Sequence, residues 1–241
     1  MQLSVPIFRL KRQARLLSRE ARIPLAEALD RMARREGFRS WSLLAKEASR
    51  RRPADRLLAE FAPGELVLLA ARPGHGKTLL GLELASTAAR LGREAFFFTL
   101  EETETGIRQR LRDLGLGDDG GRLTIDPSDA ISADHVVSRL RGTPAGGFAV
   151  IDYLQLLDRR RSEPELAIQL RVLRDFAKAR DVTFVALSQV DRSFDGLGRP
   201  MPGPSDIRLP NPVDLGLFSQ ACFLHDGRLH LQALGAAQPP S

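Results

Sequence analysis

A single cysteine, Cys222, excludes an intrachain disulfide and makes the cytosol the expected compartment. No run of 18 apolar residues occurs, and the basic N-terminus has no uninterrupted apolar stretch behind it. Neither a transmembrane span nor a secretory signal is therefore expected. Histidines are few, and His75, His135, His225 and His230 show no zinc-ligand spacing with Cys222, so they read as surface or turn residues. No internal repeat is evident.

Positive charge is present but unevenly placed. Residues 1–56 hold 15 Lys/Arg against six Asp/Glu, a surplus larger than the +6 of the whole chain, so residues 57–241 are net negative. A basic N-terminal piece suits a phosphate backbone; a merely solvated helical face is the competing reading.

That piece carries three short helical patterns, Leu10/Ala14/Leu17, Leu25/Leu29/Met32 and Trp41/Leu44/Ala45/Ala48. Pro24 suits the start of the second, Gly37 its end and Ser40 the cap of the third. The tight join at Gly37–Arg39 would suit a helix-turn-helix presenting Arg39, Ser42 and Lys46, against which stands docking on the rest of the chain or on a neighbouring subunit. Ser49 to Pro53 reads as a linker.

From about residue 57 strands alternate with helices, the signature of a parallel sheet covered on both faces. Strands are expected at 66–71, 95–100, 123–126, 148–153 and 183–188, and helices near 78–91, 104–114, 134–141 and 164–180. A last pair, 220–225 and 229–233, is joined by the hairpin signal Asp226-Gly227. Ser193 to Pro212, with three glycines and five prolines, has no regular period. The chain thus divides into a basic helical unit at 1–52, an α/β domain at 57–235 and a flexible tail at 236–241.

The chemistry begins where the apolar run Leu66–Ala71 breaks into Arg72-Pro73-Gly74-His75-Gly76-Lys77-Thr78-Leu79. Gly74 and Gly76 let backbone N–H groups turn around phosphate oxygens, and a following helix adds the positive end of its dipole. Lys77 would reach the β- and γ-phosphates of a nucleotide triphosphate and the Thr78 hydroxyl would ligate Mg²⁺. Ala71 stands where the usual pattern opens with glycine. Two further apolar strands end in acid. Asp152, closing Phe148–Asp152, is the expected second Mg²⁺ holder, and Glu101, after Phe96–Leu100, the base that orients water, with Glu102 as fallback.

Ala70–Pro73 before Gly-Lys-Thr, Phe98–Glu101, Ile151-Asp152-Tyr153-Leu154-Gln155-Leu156 and Leu187–Arg192 resemble, in order and spacing, the motifs of the DnaB-type replicative helicase motor. Leu123–Asp126 and Ser205–Arg208 have counterparts there as well. The resemblance covers roughly residues 60–210 and implies a RecA-like P-loop NTPase with a mainly parallel central sheet, preceded here by a small helical N-terminal unit. It further implies Mg²⁺-dependent ATP hydrolysis coupled to single-stranded DNA, a homo-oligomer such as a hexamer, and no membrane. Gln189 would sense the γ-phosphate. Arg159, Arg160 and Arg161, together with Arg208, would face DNA; for the three adjacent arginines an exposed charged turn before the helix at 164–180 is the competing reading.

Three features depart from that pattern. Residues 1–56 do not resemble the family's primase-binding collar, and Leu209 to Asp214 replace an expected acidic stretch. Arg228–Gly235 also lacks the Lys/Arg pair that reaches a neighbour's γ-phosphate, leaving Arg228 as the nearest substitute. An ATP-dependent assembly switch that unwinds nothing therefore stands beside the motor reading.

Overall fold

The computed structural model describes residues 7–50, 53–117, 119–129, 131–154, 157, 164–208 and 213–234. The chain divides into two compact units, Met1–Arg56 and Leu57–Ser241. The first holds α1 (Ile7–Ala21), α2 (Leu25–Arg35) and α3 (Trp41–Arg50). Leu10, Ala33 and Leu44 pack with Phe38 and Trp41, while Ala14, Ala28 and Met32 pack with Leu17, Ile23 and Leu29. Gly37, at φ 83°, makes the turn after α2 that a side chain would strain. The Trp41 N–H donates to Asp30 Oδ1 at 2.8 Å, tying the start of α3 to α2. Arg39, Ser42 and Lys46 are exposed.

The expected linker is helical at both of its described ends. α3 runs to Arg50 and α4 spans Pro53–Ala59. Pro53 opens that helix because a first-turn residue has no intrahelical N–H bond to lose.

The second unit is built on one eight-stranded sheet. Its strands are β1 (Leu66–Ala71), β2 (Ala95–Thr99), β3 (Leu123–Asp126), β4 (Phe148–Asp152), β5 (Thr183–Val190), β6 (Ile207–Arg208), β7 (Gln220–His225) and β8 (Arg228–Ala233). The order is β3-β2-β4-β5-β1-β7-β8, with β6 paired to β5. Every pairing among β1–β5 and β7 is parallel, and only β6 and β8 run antiparallel. β1, β2 and β4 are buried along their whole length, as both-sided coverage by helices requires.

α7 (Ala133–Leu140) and α8 (Leu166–Arg180) share a core with Leu66, Leu68, Phe98, Ile151 and Phe184, one face of the sheet by the two-residue period. α5 (Lys77–Arg90) covers the other face, and α6 is Glu104–Asp113. A Cβ on Gly81 of α5 would come within 3.1 Å of both Val150 and Leu187, so glycine is what lets this helix approach β4 and β5.

β7 and β8 are joined by Asp226 (φ 47°) and Gly227 (φ 75°), a two-residue turn with both central residues left-handed, as the Asp-Gly signal required. The stretch read as irregular between 193 and 212 contains 3-10 turns at Arg192–Leu197 and Pro204–Asp206 and the short strand β6. The Asp206 carboxylate accepts from Gly203 N and Arg199, holding that turn against its glycine content. Residues 236–241 lie outside the described residues.

Candidate functional site

Parallel strands release their carboxyl ends along one edge, and at four central strands that edge carries the expected residues. In register, Ala71 stands beside Gln189, Thr99 beside Asp152, and Gln189 beside Arg208. The glycine loop, Asp152, Glu101 and Gln189 thus share one sheet edge, though distant in sequence, because the strands that precede or end in them, β1, β4, β2 and β5, all run the same way.

The loop leaves β1 at Arg72 and enters α5 at Lys77. Gly74 and Gly76 have φ of 81° and 94°, the left-handed region that glycine occupies without strain. A Cβ on Gly74 would meet nothing within 4 Å, so the requirement there is backbone conformation. No side chain caps the start of α5, where Gly76 is the N-cap, in contrast to Thr103 on α6 and Ser132 on α7. Such an N-terminus offers its N–H groups to an anion.

Lys77 is buried, and its Nζ donates to Asp152 Oδ1 at 3.4 Å while lying 5.4 Å from the Tyr153 ring centroid. Asp152 is fully buried, and its Oδ2 has no hydrogen-bond partner among the described residues. A buried carboxylate oxygen left open, with the partly buried Thr78 following Lys77 at the mouth of the loop, is a donor set that fits a hard cation such as Mg²⁺. Glu101 is exposed just beyond β2, its N–H donating to Thr99 Oγ1 at 3.1 Å. Glu102 is paired with Arg110 on α6.

Nothing in the local sequence around Arg72 points to what its side chain does. Its Nε donates to Asp195 Oδ1 at 2.9 Å, its Nη2 to Asp195 Oδ2 at 2.6 Å and its Nη1 to the Val190 carbonyl at 3.3 Å. The residue after β1 is thereby locked to the end of β5, one residue past Gln189, and to the segment that follows. The Arg72 bonds hold the Asp195 carboxyl below the usual carboxylate range, and the same pair raises Arg72. His75 and His225, read as unrelated surface residues, stack against each other with ring centroids 5.0 Å apart. Arg208 is exposed on β6. Arg159, Arg160 and Arg161 lie outside the described residues, as do Gln155 and Leu156.

The chain is similar to several known proteins. The replicative DNA helicase DnaB of Geobacillus stearothermophilus is 28% identical over 194 residues, covering 66% of this chain and 43% of the relative. That of Haemophilus influenzae is 30% identical over 198 residues, covering 66% and 42%. The chain therefore spans less than half the length of these relatives. Among solved structures, one ATPase domain is similar with a TM-score of 0.53 at 20% identity, covering 67% of this chain and 69% of that one. A DnaB-like replicative helicase, solved with its primase interactions as subject, gives 0.56 at 19% identity, covering 71% and 54%. These likenesses bear out the RecA-like fold and the resemblance to DnaB-type motors. With the AAA domain pattern matching residues 32–193, more than half of its length, the chain belongs to the AAA domain family.

Proposed function

We propose that the protein binds and hydrolyses ATP with Mg²⁺ and couples this to single-stranded DNA as a DnaB-like motor in a homo-oligomer. The observation that carries the reading is the buried Lys77–Asp152 pair at the root of a glycine loop, with Asp152 Oδ2 left without a partner among the described residues. Taking a lysine and a carboxylate out of water is costly, and a single bond between them repays little of that cost unless a ligand uses them.

Each residue then has a role set by its place on the edge. Gly74 and Gly76 shape the loop so that backbone N–H groups surround phosphate oxygens, and Lys77 turns from Asp152 to neutralise the β- and γ-phosphates. Thr78 and Asp152 would hold Mg²⁺, which when bound draws charge from the phosphate oxygens. Glu101, exposed just past the end of β2 on the same sheet edge, accepts the proton of the attacking water. Gln189 lies in register between Ala71 of the loop strand and Arg208 of β6, the arrangement that would let it pass loss of the γ-phosphate to Arg208 and DNA.

The test is ATP turnover by the purified chain with and without single-stranded DNA, with Mg²⁺ present or chelated. Turnover that needs Mg²⁺ and rises with DNA supports the motor. ATP binding without DNA stimulation would replace it by a nucleotide switch, and no ATP binding at all would remove both.

A further inference from the structure

β7 pairs in parallel with β1 so that Leu224 stands beside Ala71, and both strands therefore leave the sheet at one level. The loop places His75 there from one side, and the end of β7 with its turn places His225 and Asp226 from the other. The imidazole planes are 12° apart, and the Asp226 carboxylate reaches both rings. Its Oδ1 is 3.7 Å from His75 Nδ1, and its Oδ2 is 3.6 Å from His225 Nε2. One ligand atom from each of the three residues lies within 4.8 Å of the others.

We propose that His75, His225 and Asp226 form a site for a borderline transition-metal ion of the Zn²⁺ class, which ties the glycine loop to the β7–β8 hairpin. Two imidazoles and one carboxylate are the donor set such ions take, whereas Mg²⁺ and Ca²⁺ call for oxygen. Ligands at bond lengths of about 2.0–2.1 Å in a tetrahedron stand roughly 3.3–3.4 Å apart, so donor atoms that now lie within 4.8 Å of one another must draw in and one of the two near-parallel rings must turn its nitrogen toward the ion.

Two of the ligands are set by their surroundings. Asp226 is fixed by a left-handed turn, and its N–H donates to His75 Nδ1 at 3.4 Å, a long bond that an ion at that nitrogen would replace. Phe194 meets the His225 ring edge-on at 5.2 Å. His225 Nδ1 is buried, leaving Nε2 as the nitrogen that faces the carboxylate. That Nδ1 has no hydrogen-bond partner among the described residues. Outer partners of this kind are worth about 10–100-fold in affinity, so the site is exchangeable and suited to sensing an ion. Asp226 is largely exposed, which keeps one side open for water.

This inference is independent of ATP hydrolysis and is tested without nucleotide. The untagged full chain is titrated with ZnCl₂ by calorimetry in Mg²⁺-free buffer. We expect one ion per chain and a loss of affinity of at least roughly 10-fold in both His225→Gln and Asp226→Asn. Asn keeps the hairpin because it tolerates the left-handed turn, so this variant separates ligand loss from misfolding. His135→Gln and His230→Gln, which alter the two histidines outside the cluster, should bind as the unaltered chain does. Hydrogen exchange of 72–76 and 224–228 should slow together on adding ZnCl₂, and should not do so in Asp226→Asn. Absence of binding, equal binding by Asp226→Asn, or loss of binding in His135→Gln would overturn the site.

Discussion

Lys77 Nζ and Asp152 Oδ1 stand 3.4 Å apart, the lysine at the first position of α5 and the carboxylate, wholly buried, at the last position of β4. Breaking a buried pair leaves a charge uncompensated, at a cost of about 3 kcal/mol. Lys77→Met should therefore lose ATP binding and also lose stability of that order in urea denaturation. Adding Asp152→Asn should restore most of the stability and none of the binding. If the double variant is no more stable than Lys77→Met, the two groups are not coupled.

Glu101 and Glu102 are adjacent in sequence and differ in engagement. Glu102 is committed to Arg110, whereas the exposed Glu101 follows a backbone turn held by Thr99. Glu101→Gln should keep ATP affinity and slow hydrolysis by at least roughly 10²-fold, the usual worth of a positioned base. Glu102→Gln should have a small effect. Single-turnover rates decide, and a slow Glu102→Gln beside a normal Glu101→Gln would move the role by one residue.

Much of this site can be read from the residues because its signals are local. The Leu66–Ala71 run followed by Gly74 and Gly76 dictates strand, turn and helix, and Asp226-Gly227 dictates its hairpin. What escapes such reading depends on approaches across long stretches of chain. Arg72 finds Asp195 at a separation of 123 residues, and His75 meets His225 only because β7 pairs with β1. α4 is hidden by Pro53, whose usual role as a helix stop reverses at the first turn. The turns between 192 and 208 are hidden by glycine and proline, because their hydrogen bonds come from the Asp191 and Asp206 side chains.

The Arg72–Asp195 pair sets a pH dependence. Asp195 is held below its unfolded value, so its contribution to stability is fully present above about pH 4 and is lost as pH falls through the depressed folded value. The stability difference between the unaltered chain and Asp195→Asn should be constant from neutrality to about pH 4 and shrink below it. A difference that does not vary in the acid range would mean the pair does not persist in solution.

Cys222 lies fully buried in β7, and burial pushes its thiol up to about 12. The thiolate is the reactive form, so iodoacetamide should leave the folded chain unlabelled at about pH 8 and label it fully in denaturant. Because the folded value is raised, the stabilising effect is complete below about pH 9, the unfolded value, and is lost as pH climbs towards 12. Rapid labelling under native conditions would show that β7 opens locally.

The surplus of positive charge in residues 1–56 makes the first unit a candidate for phosphate binding, and its helices carry their own small cores. A chain beginning at Pro53 retains α4 and the whole second unit, so it should stay folded and bind ATP with unchanged affinity. Its affinity for single-stranded DNA should fall and its dependence on salt flatten, since each phosphate that is no longer neutralised takes roughly 0.7 from the logarithmic salt slope on a single strand. An unaltered slope would assign DNA binding to the second unit, with Arg208 and Arg159–Arg161 as the residues to replace next.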